Sequence, residues 1–178
     1  MAGFKYRGQI SGAQDPILEN LIISSSDVIA VGDAVSMNAG FVIPATSSTV
    51  VYGICVGIVA NDGRPLDTVT TSEYDGTWVS SSGSYTASAD NETDKMVRAV
   101  VCPDPMALWY NDSNGTLTTA MLKTFFKLTT AAQIDQATTS ATVGQFQLWK
   151  LDPDEDSDAS KALFKLSQWQ GESWEPET

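Results

Sequence analysis

Short apolar runs separated by Gly, Asn, Asp, Ser and Pro recur along most of this chain, a spacing that predicts strands joined by turns. In residues 1–16, Phe4, Tyr6 and Ile10 alternate in the period of an extended strand, Gly3, Gly8 and Gly12 interrupt them, and Pro16 closes the segment. An arm of this kind has no partner within itself, so it must pair or pack elsewhere, on a neighbouring subunit or a larger surface. A frayed terminus is the plainer alternative. Next come strand-like segments at Leu18 to Ile23, Val28 to Val31, Ala34 to Met37 and Phe41 to Ile43, with Asn38-Ala39-Gly40 as a turn and Pro44 as a stop. Val50 to Ala60 reads as a glycine-punctuated strand pair ending in the sharp turn Asn61-Asp62-Gly63. The four-residue spacing of Gly53 and Gly57 places them on one side of a strand, where another backbone can approach.

Residues 64–90 are rich in Thr, Ser, Gly and Tyr, with strand candidates at Asp67 to Thr71, Gly76 to Ser80 and Ser84 to Ala89. A long loop is the alternative there. Strand character returns in Asp94 to Val101 and Met106 to Tyr110, followed by turn residues Asn111 to Gly115. Thr130 to Ala137 has the look of a short helix. From Gly144 to Leu151 the chain alternates, with Phe146, Leu148 and Lys150 on one face. With Ala162 to Ser167 this segment forms a hairpin around an acidic loop. The expected fold is therefore mainly β: a small barrel or sandwich of antiparallel strands with a short helix and an extended N-terminal arm. The arm is 1–16, the β-rich domain 17–169, and 170–178 a flexible tail. A boundary between two subdomains, if the domain divides, falls near 64–90.

Composition narrows the function. The chain has 178 residues with 42% apolar, enough for a real core, yet 22 Asp or Glu face 10 Lys or Arg and there is no histidine. The usual neutral-pH acid/base and the commonest metal ligand are thus missing. A net charge of −12 favours solubility and repels phosphate, so no direct nucleic-acid role is expected. The charge is uneven. The first fourteen residues hold Lys5 and Arg7 without an acid, whereas from Asp152 onward eight acids face Lys161 and Lys165. That polarity suits a molecule that sits on something and turns the rest to solvent. No stretch has the length of a membrane span or the pattern of a signal peptide, which predicts synthesis in the cytosol and no membrane partner. Cys55 and Cys102 lie in apolar surroundings and read as free thiols, with a disulfide between adjacent strands as the alternative.

The sharpest local feature is Asp152-Pro153-Asp154-Glu155-Asp156-Ser157-Asp158. Alternate carboxylates suit calcium, but an EF-hand needs Gly at its sixth and Glu at its twelfth position, and no register supplies them. A solvated loop is the better reading, and no metal or cofactor is expected. The many acids select no glycosidase pair, no phosphate-cradling glycine loop appears, and a Ser-Lys pair is the one nucleophilic arrangement left open, so the chain reads as no enzyme. The triplets at Asn91, Asn111 and Asn114 match the glycosylation pattern but carry no weight in so Thr-rich a chain. Trp78, Tyr74 and Tyr85 suggest sugar stacking as a minor alternative. Trp149, Trp169 and Trp174 are better intersubunit anchors.

The run Val31-Gly32-Asp33-Ala34-Val35, then Gly40-Phe41-Val42-Ile43-Pro44-Ala45, then Tyr52-Gly53-Ile54-Cys55-Val56-Gly57-Ile58-Val59 resembles the small-barrel segment of the tailed-bacteriophage capsid decoration, or cement, proteins. The resemblance covers roughly residues 18–62. Val97 to Val101 and the Phe146-Gln147-Leu148 hairpin are compatible with it. It implies a virion structural protein on the outer capsid surface, an oligomer (commonly a trimer) seated between major capsid proteins, with no catalytic residues to carry over. Phe4, Tyr6 and Ile10 would then supply apolar or strand-addition contacts, with Lys5 and Arg7 meeting acidic groups. A tail or fibre protein, or a glycan-binding module on the particle, is the alternative.

Overall fold

The computed structural model describes residues 3–10, 15–94, 96–141, 144–151 and 160–167. Strands dominate, as the apolar spacing predicts. In chain order they are β1 (Lys5–Gln9), β2 (Glu19–Ile22), β3 (Val28–Ala30), β4 (Ala34–Asn38), β5 (Phe41–Pro44), β6 (Gly53–Val59) and β7 (Thr77–Val79). There follow β8 (Ser84–Thr86), β9 (Arg98–Cys102), β10 (Ala107–Asp112), β11 (Phe125–Thr130), β12 (Gln133–Ser140), β13 (Phe146–Leu151) and β14 (Lys161–Leu166). Single turns of 3-10 helix occur at Leu66–Thr68 and Thr119–Met121.

The strands form three antiparallel sheets: β1-β10-β14-β13-β11-β12, β2-β9-β6-β4-β5, and β3-β8-β7. They stack as three layers with the five-stranded sheet in the middle, because alternate residues of its strands feed two separate cores. Ala34, Ile54 and Cys102 face the six-stranded sheet and pack with Trp109, Phe126, Phe146 and Phe164. Val35, Cys55 and Val101 face the three-stranded sheet and pack with Ile29 and Tyr85. A strand buried on both faces needs an unbroken apolar run, which is why Gly53–Val59 reads GICVGIV with no charge. Both larger sheets curl without closing. Ile23, after edge strand β2, bridges to Val42 of the opposite edge strand β5, and Ser113, after β10, bridges to Ile134 of edge strand β12.

Buried amides hold the layers in register. Gln145 accepts from Leu128 N–H at 2.8 Å and donates to the carbonyls of Thr46 at 2.6 Å and Thr49 at 2.5 Å, joining the outer sheet to the loop after β5. Asn111 does the same between β10 and β12, donating to Ala132 O and accepting from Ile134 N–H. Asn91 donates to Ile23 O and accepts from Val97 N–H under the small sheet. Two of the three glycosylation triplets thus begin with asparagines that are fully engaged inside the protein.

Several local expectations change. Residues 133–140 are strand β12, not a helix: β11 offers a free ladder, and Leu128 pairs with Ile134 in it. The pairing wins over a helix-compatible composition. Val50 to Ala60 gives one strand rather than a pair, since its turn comes only after Val59, where Gly63 N–H reaches back to Ala60 O. Asp67 to Thr71 is a turn, not a strand. Gly53 and Gly57 do not share a face. A bulge between Cys55 and Gly57 adds Val56 to β6 and reverses the alternation, so only Gly53 lies hard against a neighbouring backbone. The β13–β14 hairpin forms with Phe146 opposite Leu166 and Leu148 opposite Phe164. Its acidic connection, the tail 170–178, Trp169 and Trp174 lie outside the described residues.

Candidate docking face

The N-terminal segment forms an edge strand of the six-stranded sheet, β1 pairing with β10 at Lys5–Tyr110 and Tyr6–Trp109. Phe4, expected to contact a neighbour, is placed elsewhere. Its ring is 4% exposed and stacks on Phe146, centroids 4.6 Å apart. Its N–H donates to Gly32 O at 2.7 Å, and Gly3 and Gly32 approach so closely that a Cβ on either would sit 3.1 to 3.2 Å from the other segment's carbonyl oxygen. The segment is therefore part of this fold, with Phe4 consumed by its core. Ile10, half-buried, donates its N–H to Met106 O at 2.9 Å. Tyr6 keeps 40% of its surface exposed and meets the edge of Trp109, while Lys5 and Arg7 stay in solvent. Arg7 is the extra residue of a bulge between Tyr6 and Gly8, and its guanidinium lies 5.2 Å from the centre of the Tyr110 ring. The bulge and the two cations interrupt the free edge of β1, so this edge presents side chains better than a backbone ladder.

Strand pairing then assembles a surface that no stretch of sequence shows. Across the outer face, Lys5, Tyr110, Leu163 and Lys150 stand in one row. Leu108, Lys165, Gln147 and Phe125 stand in the next. With Arg7, Lys127 and Lys161, the six strands of this sheet hold six of the ten cations in the chain against two carboxylates, Asp112 and Asp135, and Lys123 stands on its flank; the β13–β14 connection, outside the described residues, adds five acids. The other two layers are the reverse. Residues 19–102, which carry both of those sheets, hold ten carboxylates against three cations, Arg64, Lys95 and Arg98. The Arg64 guanidinium is already engaged by Asp62 at 2.6 Å and Glu73 at 2.5 Å, and the latter contact, with hydrogen bonds from Thr70, holds the Glu73 carboxyl down at about 2. Among the described residues, charge is polar across the layers.

Near the middle of the basic face Trp149 is the extra residue of a second bulge, between Leu148 and Lys150. Lys123 Nζ lies 3.2 Å from the centre of its ring and Lys165 Nζ 5.4 Å. Among the described residues, Lys123 is one of three non-glycine residues with positive φ, at 69°. It is pinned there: its N–H donates to Leu148 O at 2.9 Å and its carbonyl accepts from Gln147 Nε2 at 2.9 Å. Partial burial, and then the neighbouring Lys165 charge, pull the Lys123 ammonium below the usual lysine range.

The proposed sugar-stacking set does not gather on the surface. Tyr74 and Tyr85 are buried edge to face in the second core, centroids 6.3 Å apart, and only Trp78 reaches solvent, its Nε1 donating to Asp67 at 2.7 Å. Cys55 and Cys102 are free and buried on opposite faces of the central sheet, since Cys102 pairs with Ile54 and Cys55 with Val101. Burial pushes the Cys55 thiol up to about 12. Among the described residues no helix is long and apolar enough to cross a membrane, and no three acidic or thiol side chains gather as for a metal ion. No protein-family model, curated protein or solved structure matches this chain.

Proposed function

We propose that this chain is a virion structural protein that binds the outer surface of a capsid as an oligomer, a trimer by the resemblance of residues 18–62, and stabilises contacts between major capsid proteins. The observation that carries the reading is the charge polarity across the layers: a basic, aromatic-studded outer sheet set against acidic layers behind it. A protein fixed to a shell needs one face complementary to its support, and an acidic remainder keeps it soluble and prevents wrong-way association. Many copies on a lattice multiply a modest contact by avidity. Lys5 and Arg7 belong to this face, at its β1 edge, whereas Tyr6 lies on the inner side beside Trp109.

The test is stoichiometry and protection. Purified particles should contain the chain in fixed ratio to the major capsid protein, and stripping it should lower their resistance to heat or osmotic shock. Absence from particles, or turnover of a small compound by the isolated chain, overturns the reading. A tail or fibre position draws on the same polarity, and an image of labelled copies on the particle separates the two.

A further inference from the structure

Two ammonium groups gathered on one indole are held at a cost. Lys123 and Lys165 repel each other, Lys123 occupies a backbone conformation that non-glycine residues rarely adopt, and neither meets a carboxylate among the described residues. Such an arrangement is satisfied by an anion from outside. We propose that Lys123, Lys165 and Trp149 form a carboxylate clamp through which the outer face of the six-stranded sheet docks on an acid-rich surface of another protein.

The charge pattern selects that occupant. A partner covering this sheet meets Lys5, Lys150 and Lys165 interspersed with apolar Leu108, Leu163 and Phe125, a mixture suited to a protein surface of carboxylates and aliphatic side chains. Nucleic acid fits less well. Its bases need open aromatic faces, whereas cations already lie against Trp149 and Tyr110. The lysine stems covering Trp149 also keep the ring from offering a purely apolar site. Bound carboxylates would sit where the two ammonium fields add, which relieves their mutual repulsion and gives the contact its salt dependence.

The inference rests on the shell-binding reading for its partner, but it can be tested without particles. The full chain and its K123Q/K165Q variant are titrated with a dye-labelled hexaglutamate peptide and with a labelled single-stranded oligonucleotide, at low and high salt. R64Q, altered on the acidic side, serves as control, and thermal melts confirm that each variant is folded. The expected result is salt-sensitive peptide binding, weakened at least about tenfold in the double variant and unchanged in R64Q. Equal peptide binding by the double variant overturns the clamp. Preference for the oligonucleotide overturns it in favour of nucleic acid, and salt-sensitive self-association lost in K123Q/K165Q overturns it in favour of a second copy of this chain. In a parallel arm, both proteins are added to particles lacking the chain. If the peptide result holds while the wild type ignores particles, the clamp stands and the capsid reading falls. If the wild type binds particles and K123Q/K165Q binds them equally, the capsid reading stands and the clamp falls.

Discussion

Phe4 and Phe146 lie face to face, their ring centroids 4.6 Å apart and their planes within 15°. This stack joins the first strand of the chain to the hairpin near its end, inside the core between the two larger sheets. Replacing Phe4 by Ala leaves a cavity there and should cost about 3 to 5 kcal/mol, read as a lower urea midpoint with unchanged slope. Deleting residues 1–14 removes the same ring together with β1 and should destabilise the fold. Particle attachment is therefore better probed by K5Q/R7Q, which changes the edge and spares the core.

Gln145 offers a second check. Gln145→Leu keeps much of the volume but leaves Leu128 N–H without its acceptor and the Thr46 and Thr49 carbonyls without their donor. A loss of about 2 to 4 kcal/mol is expected, measured by equilibrium denaturation. A loss no larger than that of the half-buried Gln147→Leu, which gives up the bond to the Lys123 carbonyl, would show that the clamp between the outer sheet and the loop after β5 contributes little.

The two glycines of β6 should separate cleanly. A Cβ on Gly53 would stand 2.6 Å from Cys102 O, backbone that cannot step aside, whereas on Gly57 the nearest atoms are Val100 carbons at 3.6 Å. Gly53→Ala should cost about 1 to 3 kcal/mol. Gly57→Ala should leave stability within about 0.5 kcal/mol of the parent. Thermal melts of the pair test the bulge at Val56 directly.

Alkaline pH should loosen the protein. The Cys55 thiol, ordinarily near 9.0, is raised to about 12 by burial, and the Tyr85 hydroxyl, ordinarily near 10.0, is also raised to about 12, burial again first among the causes. A raised folded value means that the unfolded chain ionises first. The stability linked to Cys55 is whole below pH 9 and is lost as pH climbs towards 12, with Tyr85 adding its share from pH 10 upward. The urea midpoint should fall through this window, and Cys55→Ala should flatten its early part. A thiol reagent at neutral pH should find Cys55 only after denaturation.

Hairpins with local signals were readable from the chain itself. Asn38-Ala39-Gly40 announces the β4–β5 turn, and the structure places Ala39 at φ 49° and Gly40 at 93°. The alternation of Phe146 and Leu148 likewise marks β13. Strand β12 was not readable, because only Ile134 of its eight residues is buried and its identity rests on pairing with β11 and on Asn114, whose side chain receives the Gln136 N–H at 2.7 Å. The basic face was invisible for the same reason. Its cations are scattered from Lys5 to Lys165 with no run among them, and the strand order alone collects them. The charge at the N-terminus pointed to one edge of that face, while the segment's packing against Gly32 and Phe146 left no trace in local pattern.

Because β1 pairs with β10 and Phe4 stacks on Phe146 of β13, a chain under synthesis cannot seat β1 until the residues through β13 have emerged, well over a hundred positions later. The Lys5–Arg7 edge therefore becomes presentable only once β10 and β13 are in place. Half-made copies lack that edge, so on the docking reading proposed above they have no such surface to offer a partner.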